Sequence, residues 1–427
     1  MKGWGFLVFC SILGPACGGG GGGGSGAGAP VSFTGLGVPA TAVVGSGAIP
    51  PGLSSHFELG IANFDTTWVG STGIPFGFRS QYLSGGVNTG SGWTTWNSPP
   101  GQFASLYISA SGSMVPVFDY YQLRGSAPNV GSENPDPKLQ NADTMNAYYA
   151  EFKLLIQKCA ASGKVVILHV EPDFWGFCES THGSQPETIP VCVANTGFPE
   201  AAGLHDNLCG FAQLLVKLRD TYEPQPPGTP HKVLIAFHAS HWGTGADLIK
   251  NKVDPTTQAN AIGGYFTKLG AKFDLLFHDP ADRDAGYYAQ FDGGASWWAA
   301  ADFDRYRNYL AAMTSVTGLR NVLWQVPLGN TKTATCANSY GHFQDNRVEY
   351  WLDDTAHANV SAYAGAGVIA ILWGAPLADC THYDDASGDG KTPPSEAVTD
   401  ADGGYLRTRG AAYYSTVSPN PGPIALP

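Results

Sequence analysis

Short apolar segments recur along most of the chain, and many of them end in polar or aromatic residues. Eight of these segments predict β-strands, at residues 57–61, 75–78, 115–119, 165–171, 233–238, 273–278, 322–326 and 368–373. Their apolar runs are nearly continuous rather than alternating. We therefore expect strands that are buried on both faces, as in a parallel sheet covered by helices.

Helical patterns lie between many of these strands. The clearest cover residues 145–161, 211–222, 303–314 and 348–364. Gly163, Gly270 and Gly318 lie where helix C-termini are expected, and residues 403–416 predict a closing helix. Strand and helix units in this succession indicate the α/β class. They predict a (β/α)8 TIM-type barrel, formed by residues 31–427 as a single domain with long βα loops.

The first 30 residues have a different character. Residues 1–17 contain a lysine, an apolar stretch and the segment Pro15-Ala16-Cys17, which predicts a signal peptide rather than a folded element. They resemble a bacterial lipoprotein leader in which Cys17 is lipidated, and residues 18–30 form a glycine-rich tether. This resemblance implies a secreted lipoprotein of the outer membrane or cell surface. Ordinary secretion with cleavage nearby is the alternative.

The charge balance narrows the choice of partners. The 427 residues include 35 acidic and 23 basic side chains, giving a net charge of −12. Nucleic acids and anionic membrane surfaces bind clusters of Lys and Arg, so we expect neither as a partner. No apolar run long enough to span a bilayer follows the leader. The membrane would be reached only through the N-terminal lipid, and we expect a monomer.

Export would make disulfide bonds possible. Beyond the leader, cysteines stand at positions 159, 178, 192, 209, 336 and 380. The three from 178 to 209 fall in one loop region, where two of them are expected to pair. The last two could bridge two other loops. The first lies in a helical pattern and is expected to be a buried free thiol.

In barrels of this type the active site lies at the carboxyl ends of the strands. The carboxylates at these ends are candidates for catalysis: Asp119, Glu171, Asp173 and Asp279. Glu171 and Asp173 are two residues apart, so on an extended strand both would point the same way. Neighbouring carboxylates in a partly dry cleft raise the pKa of one of them, as the general acid of a glycosidase requires.

Aromatic residues gather near the same strand ends. The chain has 11 Trp, and flat rings of this kind stack on the C–H faces of sugar rings. The candidates for substrate binding are Trp93, Trp96, Tyr121, Trp175, His238, Trp242, Gln325 and Trp373. Together with the carboxylates, they predict a carbohydrate-binding cleft.

One strand end resembles a known family. Residues 166–173, which close in Glu-Pro-Asp, resemble the corresponding strand of glycoside hydrolase family 6 cellulases. Residues 117–124 and 238–242 partly resemble two further motifs of that family. This chain departs from the family at Gly125 and His238, where the family has Asp, and the family barrel has seven strands.

The resemblance implies a hydrolase of a polysaccharide, most of all a β-glucan. It implies that Asp173 is the general acid, with Glu171 its competitor for the role. Asp119 or Asp279 would be the base or a helper. This chemistry requires no cofactor.

Two other functions remain open. The histidines at the ends of strands 4, 5 and 6 could bind a metal together with Asp279 or Asp119, as in a metal-dependent hydrolase. These histidines are His169, His238, His241 and His278. A surface lipoprotein that binds polysaccharide without cleaving it would show the same aromatic residues, but it would need no carboxylate pair.

Residues 385–396 have the spacing of a calcium loop. Asp385, Ser387 and Asp389 alternate along it, and Glu396 stands at the twelfth position. A bound Ca²⁺ would order the last loop over the cleft, which is a structural role. A solvated acidic loop is the alternative, because two prolines interrupt the pattern and no helix pair flanks it.

Overall fold

The computed structural model describes residues 47–62, 66–291, 297–332, 343–374, 380–381 and 404–427. The signal peptide, the tether and the segment with Asp385, Ser387, Asp389 and Glu396 lie outside these residues, so the predictions made for them stay predictions. Within the described residues, no helix is long and apolar enough to cross a bilayer.

Eight parallel strands form a closed barrel in the described part of the chain. The strands are β1 (Glu58–Ala62), β2 (Phe78–Leu83), β3 (Val115–Tyr120), β4 (Val166–Val170), β5 (Val233–His238), β6 (Leu275–His278), β7 (Arg320–Val326) and β8 (Val368–Trp373). Each strand pairs with its neighbours in sequence, and β1 closes on β8 through residues 58–61 and 370–373. The predicted (β/α)8 barrel is confirmed.

Helices connect the strands and cover the outside of the barrel. Those described are α1 (Thr66–Thr72), α2 (Gln102–Ala110), α3 (Asp136–Leu139), α4 (Ala142–Ser162), α5 (Phe174–His182), α6 (Leu208–Tyr222), α7 (Pro255–Lys268), α8 (Ala285–Phe291), α9 (Ala300–Thr317), α10 (Arg347–Leu352), α11 (Ala358–Gly365) and α12 (Gly404–Tyr414). Gly163 and Gly318 end α4 and α9 with positive φ angles, as expected.

Two apolar layers stabilise the barrel. One fills its interior and includes Val117, Ile167, Ala236, Phe277 and Val322. The other lies between the strands and the surrounding helices. Side chains alternate along a strand, so residues two positions beyond the interior ones again point into the barrel. That next layer lies at the carboxyl end, where the active sites of this fold are found.

Strand β2 lies farther along the chain than its sequence pattern indicates. The pattern places a strand at 75–78, whereas the ladder with β3 runs from Phe78 to Leu83. The polar side chains Arg79, Ser80 and Gln81 interrupt the apolar run and hide the strand. The correction matters because β2 brings an additional side chain to the barrel mouth.

The helix predicted at 348–364 is divided into α10 and α11. Between them the Asp354 carboxylate accepts hydrogen bonds from the backbone N–H groups of Ala356 (2.9 Å) and Ala358 (2.8 Å). His357, directly before α11, has a φ of 55°. Side-chain bonds of this kind replace helical backbone bonds, so one helix ends and another begins here.

The described cysteines differ in part from the expectation. Cys159 is buried in α4 and free, which is confirmed. The disulfide expected after β4 is wrong, because all three thiols of that region are buried and unpaired: Cys178, Cys192 and Cys209. Cys209 lies in the first turn of α6 and donates from Sγ to the last carbonyl of α7 (3.3 Å). Cys336 lies outside the described residues, so its bridge to Cys380 stays a prediction.

A buried carboxylate joins the loops that follow β6, β7 and β8. Asp284 accepts the backbone N–H groups of Gly329 and Thr381, one on each carboxylate oxygen and both at 2.8 Å. A Cβ at Gly329 would lie 2.4 Å from that carboxylate, so only glycine fits there. One side of the barrel mouth is therefore tied together at a single residue.

We expect Asp284→Ala to lower the free energy of unfolding by about 2–4 kcal/mol, because two buried N–H groups lose their acceptor. Urea denaturation measures the change. Asp304→Ala is the control, because Asp304 is exposed on α9, and it should change stability by less than about 0.5 kcal/mol. Equal stability of the two variants would contradict the role of Asp284.

Candidate active site

Consecutive strands place polar side chains at one level of the barrel interior. Asp119 on β3 pairs in register with His169 on β4. His238 on β5 lies two residues beyond Ala236, the register partner of His169. Asp279 directly follows the last residue of β6. All four polar residues are buried, so strand alternation brings them together at the mouth of the barrel.

These four side chains form a continuous series of polar contacts. Asp119 Oδ1 lies 2.8 Å from His169 Nδ1, and His169 Nε2 lies 2.9 Å from His238 Nδ1. His238 Nε2 lies 3.3 Å from Asp279 Oδ1. We call Asp119, His169, His238 and Asp279 the polar chain. It runs around the inside of the barrel from β3 to the end of β6.

Aromatic rings enclose the polar chain. The Phe277 ring stacks on His169, with 4.3 Å between centroids and 23° between planes. The Trp324 ring packs nearly perpendicular to the imidazoles of His169 and His238, at 4.8 and 5.7 Å. An apolar enclosure lowers the local dielectric, which strengthens each polar contact and makes an unpaired charge costly.

Asp173 approaches the end of the polar chain from a loop. It follows β4 by three residues, immediately precedes α5, and has a φ of 68°, which residues other than glycine rarely adopt. Asp173 is partly exposed, in contrast to the buried chain. Asp173, His238 and Asp279 each have a polar atom within 4.8 Å of the other two. At this cluster the buried chain meets solvent.

Glu171 faces a different part of the molecule. Strand β4 ends at Val170 and Glu171 has a φ of 49°, so the strand alternation stops before it. Glu171 is fully buried, and its Oε1 accepts the backbone N–H groups of Gln122 (2.9 Å) and Leu123 (3.2 Å). It therefore holds the loop after β3. The expectation that Glu171 and Asp173 share an orientation through strand alternation is wrong.

Burial and neighbouring charges separate the carboxyl groups by pKa. The surrounding protein removes most of the water from the partly exposed Asp173 and raises its pKa to about 7, and the charge of Asp279 adds to the effect. Burial also acts on Asp279, but the close contact with His238 and its charge outweigh it and hold the pKa of Asp279 below its usual value. Burial raises the pKa of Asp119 to about 8. A proton-carrying carboxyl thus lies beside an ionised one.

The two imidazoles of the polar chain also differ. Burial holds the pKa of His169 well below its usual value, and the charges of His238 and His278 add to the effect. Burial acts the same way on His238, but the contact with Asp279 and the charges of Asp279 and Asp173 outweigh it and raise the pKa of His238. His169 is therefore the neutral member, and His238 is the member that can carry positive charge.

The predicted substrate-binding aromatics divide into two groups. Three are buried and have no exposed ring face: Trp93, Trp175 and Trp373. Trp175 donates from Nε1 to the Val170 carbonyl (2.9 Å), and Trp373 points outward from β8 against Trp351. Three others are partly exposed: Trp96, Tyr121 and Trp242. Only this second group remains a candidate for stacking on a sugar ring.

Two aromatic residues of the mouth were not among the predicted site residues. Tyr82 on β2 and Trp324 on β7 pack against each other at 5.7 Å on the interior layer. Gln325 donates from Nε2 to the Tyr82 hydroxyl (2.5 Å), and Tyr121 packs on the Tyr82 ring at 5.9 Å. Tyr82 is hidden by the misplaced β2. Trp324 follows the interior residue Val322 by two positions, so alternation could have revealed it.

The histidines of β4, β5 and β6 do not converge on one metal centre. Both ring nitrogens of His169 are engaged in the polar chain, and His278 Nε2 lies 2.9 Å from Asn321 Oδ1. In the part of the chain that the structure describes, one group has the spacing of metal ligands: Asp173, His238 and Asp279. His238 and Asp279 already form an ion-pair contact, and we assign a proton to the space between them.

No family model and no curated protein matches this chain. Among solved structures it is similar to the Ignisphaera aggregans GH53 catalytic domain, with 10% identity, a TM-score of 0.46, and coverage of 87% of this chain and 98% of that one. It is similar to a Bacillus sp. JAMB-750 GH26 endo-β-1,4-mannanase catalytic domain, with 13% identity, a TM-score of 0.45, and coverage of 90% of this chain and 94% of that one. It is also similar to Humicola insolens cellobiohydrolase II, with 12% identity, a TM-score of 0.39, and coverage of 81% of this chain and 90% of that one.

Substitutions of Asp173 and Glu171 should change the free energy of unfolding in opposite directions. Ionised Asp173 is repelled by Asp279, so at pH 8 Asp173→Asn should stabilise the fold by about 0.5–1.5 kcal/mol. At pH 5 Asp173 is protonated in the fold but still ionised in the unfolded chain, so the gain should be smaller than at pH 8 and should disappear only below about pH 4. Glu171→Ala should destabilise the fold by about 2–4 kcal/mol, because two buried N–H groups lose their acceptor. Urea denaturation at both pH values tests this, and a destabilised Asp173→Asn would refute the assignment.

Proposed function

We propose that this protein is a glycoside hydrolase that cleaves a polysaccharide by carboxylate catalysis. One observation carries the proposal: carboxylate oxygens of Asp173 and Asp279 lie within 4.8 Å of each other at the barrel mouth, in surroundings that raise the pKa of Asp173 and lower that of Asp279. Glycosidases need one protonated carboxyl at the leaving oxygen and one ionised carboxylate at the sugar. The Glu-Pro-Asp segment at residues 171–173 favours a β-glucan as the substrate.

The spacing of the two carboxyl groups favours a double displacement. Their nearest ligand oxygens are within 4.8 Å, on the side of the roughly 5–5.5 Å typical of retaining enzymes rather than the roughly 6.5–9.5 Å of inverting ones. Asp173 would protonate the leaving oxygen while Asp279 attacks the anomeric carbon. Asp173, now a base, would then take a proton from the water that releases the sugar. His238 keeps Asp279 ionised for the attack.

The proposal extends to the surroundings of the enzyme. Tyr121 and Trp242 are partly exposed near the mouth and would stack on sugar rings. Residues 1–17 and 18–30 would deliver the barrel to the outer membrane or cell surface as a lipid-anchored monomer. No cofactor would take part in catalysis, and Ca²⁺ at residues 385–396 would have a structural role only.

The direct test is reducing-sugar release from β-glucans, xylan, mannan, chitin and α-glucans by the chain from Ala29 onward. We expect release from a β-glucan with retention of anomeric configuration. Asp173→Asn and Asp279→Asn should each lower kcat by about 10²–10⁴-fold, because each removes one half of the acid and nucleophile pair. Asp304→Asn, an exposed substitution, should match the wild type.

Two results would point to the other functions. Activity that EDTA abolishes and zinc restores would replace carboxylate catalysis by a metal-dependent hydrolase. Retention on one insoluble polysaccharide without any release, unchanged in Asp173→Asn, would make this a binding protein. Release that survives EDTA excludes both.

The pH dependence of kcat/KM follows from the same two groups. Asp173 must be protonated, so activity should fall as pH rises through about 7. Asp279 must be ionised, and its lowered pKa keeps it so to a lower pH than an ordinary Asp carboxyl. We expect kcat/KM to stay level on the acidic side of about pH 7, where Asp173 is protonated and Asp279 is still ionised. A profile that rises above pH 7 would contradict the assignment of Asp173 as the acid.

A further inference from the structure

We propose that Asp119 and His169 are positioning residues that shift two protons along the polar chain and thereby place a positive charge on His238 when Asp173 gives up its proton. This inference rests on the proposed role of Asp173 as the general acid. It assigns a task to the two members of the polar chain that lie outside the cluster of Asp173, His238 and Asp279.

The geometry of the polar chain permits one arrangement with an ionised Asp119. His169 then donates from Nδ1 to Asp119 and accepts at Nε2 from His238 Nδ1. His238 also carries a proton on Nε2, which faces Asp279 at 3.3 Å. In this arrangement His238 is a cation between a neutral imidazole and a carboxylate. Three protons occupy the three contacts.

A second arrangement uses the same three contacts and the same three protons. Protonated Asp119 donates to His169 Nδ1, and His169 donates from Nε2 to His238 Nδ1. His238 keeps its Nε2 proton toward Asp279 and is neutral. The two arrangements differ by two transfers, one from His238 Nδ1 to His169 Nε2 and one from His169 Nδ1 to Asp119. No proton or electron enters or leaves, and the net charge is unchanged.

A fourth proton on the polar chain is energetically unfavourable. If His238 and Asp119 were both protonated, two ring N–H groups of His169 and His238 would face each other across 2.9 Å, and one hydrogen bond would be lost. The apolar enclosure by Phe277 and Trp324 makes that loss costly. The raised pKa of Asp119, about 8, agrees with a carboxyl that holds a proton for the chain.

The two arrangements act differently on Asp173. A neutral His238 leaves Asp173 beside the negative Asp279 only, which favours protonated Asp173. A cationic His238 favours ionised Asp173 through charge attraction. When Asp173 protonates the leaving oxygen, the two protons of the polar chain move toward His238. The resulting cation then lies beside the newly ionised carboxylate of Asp173. The compensating negative charge forms on Asp119, which is buried at the opposite end of the polar chain.

Titratable groups on the neighbouring elements face His238 and Asp173. Those facing His238 are Asp119 on β3, His169 on β4, Asp173 after β4, His278 at the end of β6 and Asp279 after β6. Those facing Asp173 are Asp279, His238, Asp282, Glu133, Tyr82, Tyr121 and Arg124. Among the described residues facing His238, those of the polar chain form a continuous path for protons.

The diagnostic readout is ¹⁵N NMR of the full-length protein with labelled histidine. An isolated histidine loses a proton as pH rises. We expect His238 Nδ1 to do the reverse, moving toward its protonated shift between about pH 6 and 8 as Asp173 ionises. His238→Gln assigns the resonance. A monotonic loss of the His238 proton over this range would overturn the proposal.

Two substitutions should break the path while keeping hydrogen bonds. The amides in Asp119→Asn and His169→Gln can donate or accept but cannot pass a proton on. In both variants the reverse shift of His238 Nδ1 should vanish. His278→Gln is the matched control, a buried barrel histidine outside the path, and it should keep the shift. If neither path variant folds, the titration of the wild type still decides the question.

Kinetics give a second readout where a substrate is found. Asp119→Asn should lower kcat about tenfold and leave KM within about twofold, because the lost charge acts on the reaction step rather than on binding. Without the positive charge on His238, Asp173 holds its proton more tightly. The pH at which activity falls on the basic side should therefore rise by about 0.5–1 unit. An unmoved limb in Asp119→Asn would overturn the proposal.

The two proposals fail in distinguishable ways. If no polysaccharide is cleaved but His238 shows the reverse shift, the proton path stands and the glycosidase assignment falls. If a polysaccharide is cleaved through Asp173 but His238 titrates in the ordinary direction, the glycosidase stands and the proton path falls.

Discussion

The contact between His238 and Asp279, 3.3 Å apart inside an apolar barrel mouth, is the interaction on which the rest of the site depends. A buried carboxylate is costly unless a positive charge or hydrogen-bond donors accompany it. In both arrangements of the polar chain His238 turns its Nε2 proton toward Asp279, so Asp279 stays ionised. The negative charge fixed there then works with burial to keep a proton on Asp173. One contact thus separates two carboxyl groups of the same chemistry into an acid and an anion.

The barrel explains why these groups meet. Parallel strands present every second side chain to the interior, and neighbouring strands are staggered around the barrel. Asp119, His169 and His238 each follow an apolar interior residue by two positions, which converts the uppermost apolar layer into a polar one. Phe277 in the layer below and Trp324 in the same layer pack their rings against these imidazoles. The low dielectric that stabilises the fold also sets the pKa values of the site.

Much of the architecture was predictable from the sequence. Seven of the strands lie close to their predicted positions because their apolar runs are long, whereas β2 is displaced because Arg79, Ser80 and Gln81 interrupt its pattern. The polar strand ends indicated Asp119, Asp173, His238 and Asp279. Sequence alone could not reveal the fully buried position of Trp175 or Trp373, because a residue at a strand end can face either layer. Glu171 was misjudged because the extended backbone ends one residue before it.

The place of Asp173 on a loop rather than a strand is a further consequence of the same constraint. A general acid must reach solvent and substrate, but a carboxyl on a strand at this level would be as buried as Asp119. Three residues of irregular backbone beyond β4 move Asp173 outward to partial exposure while keeping it within reach of His238 and Asp279. The cost is local strain, seen in the positive φ angle of Asp173. The surrounding structure tolerates that strain because Glu171, two residues earlier, is held by the loop after β3. Glu171 therefore serves the site by fixing the backbone from which Asp173 projects.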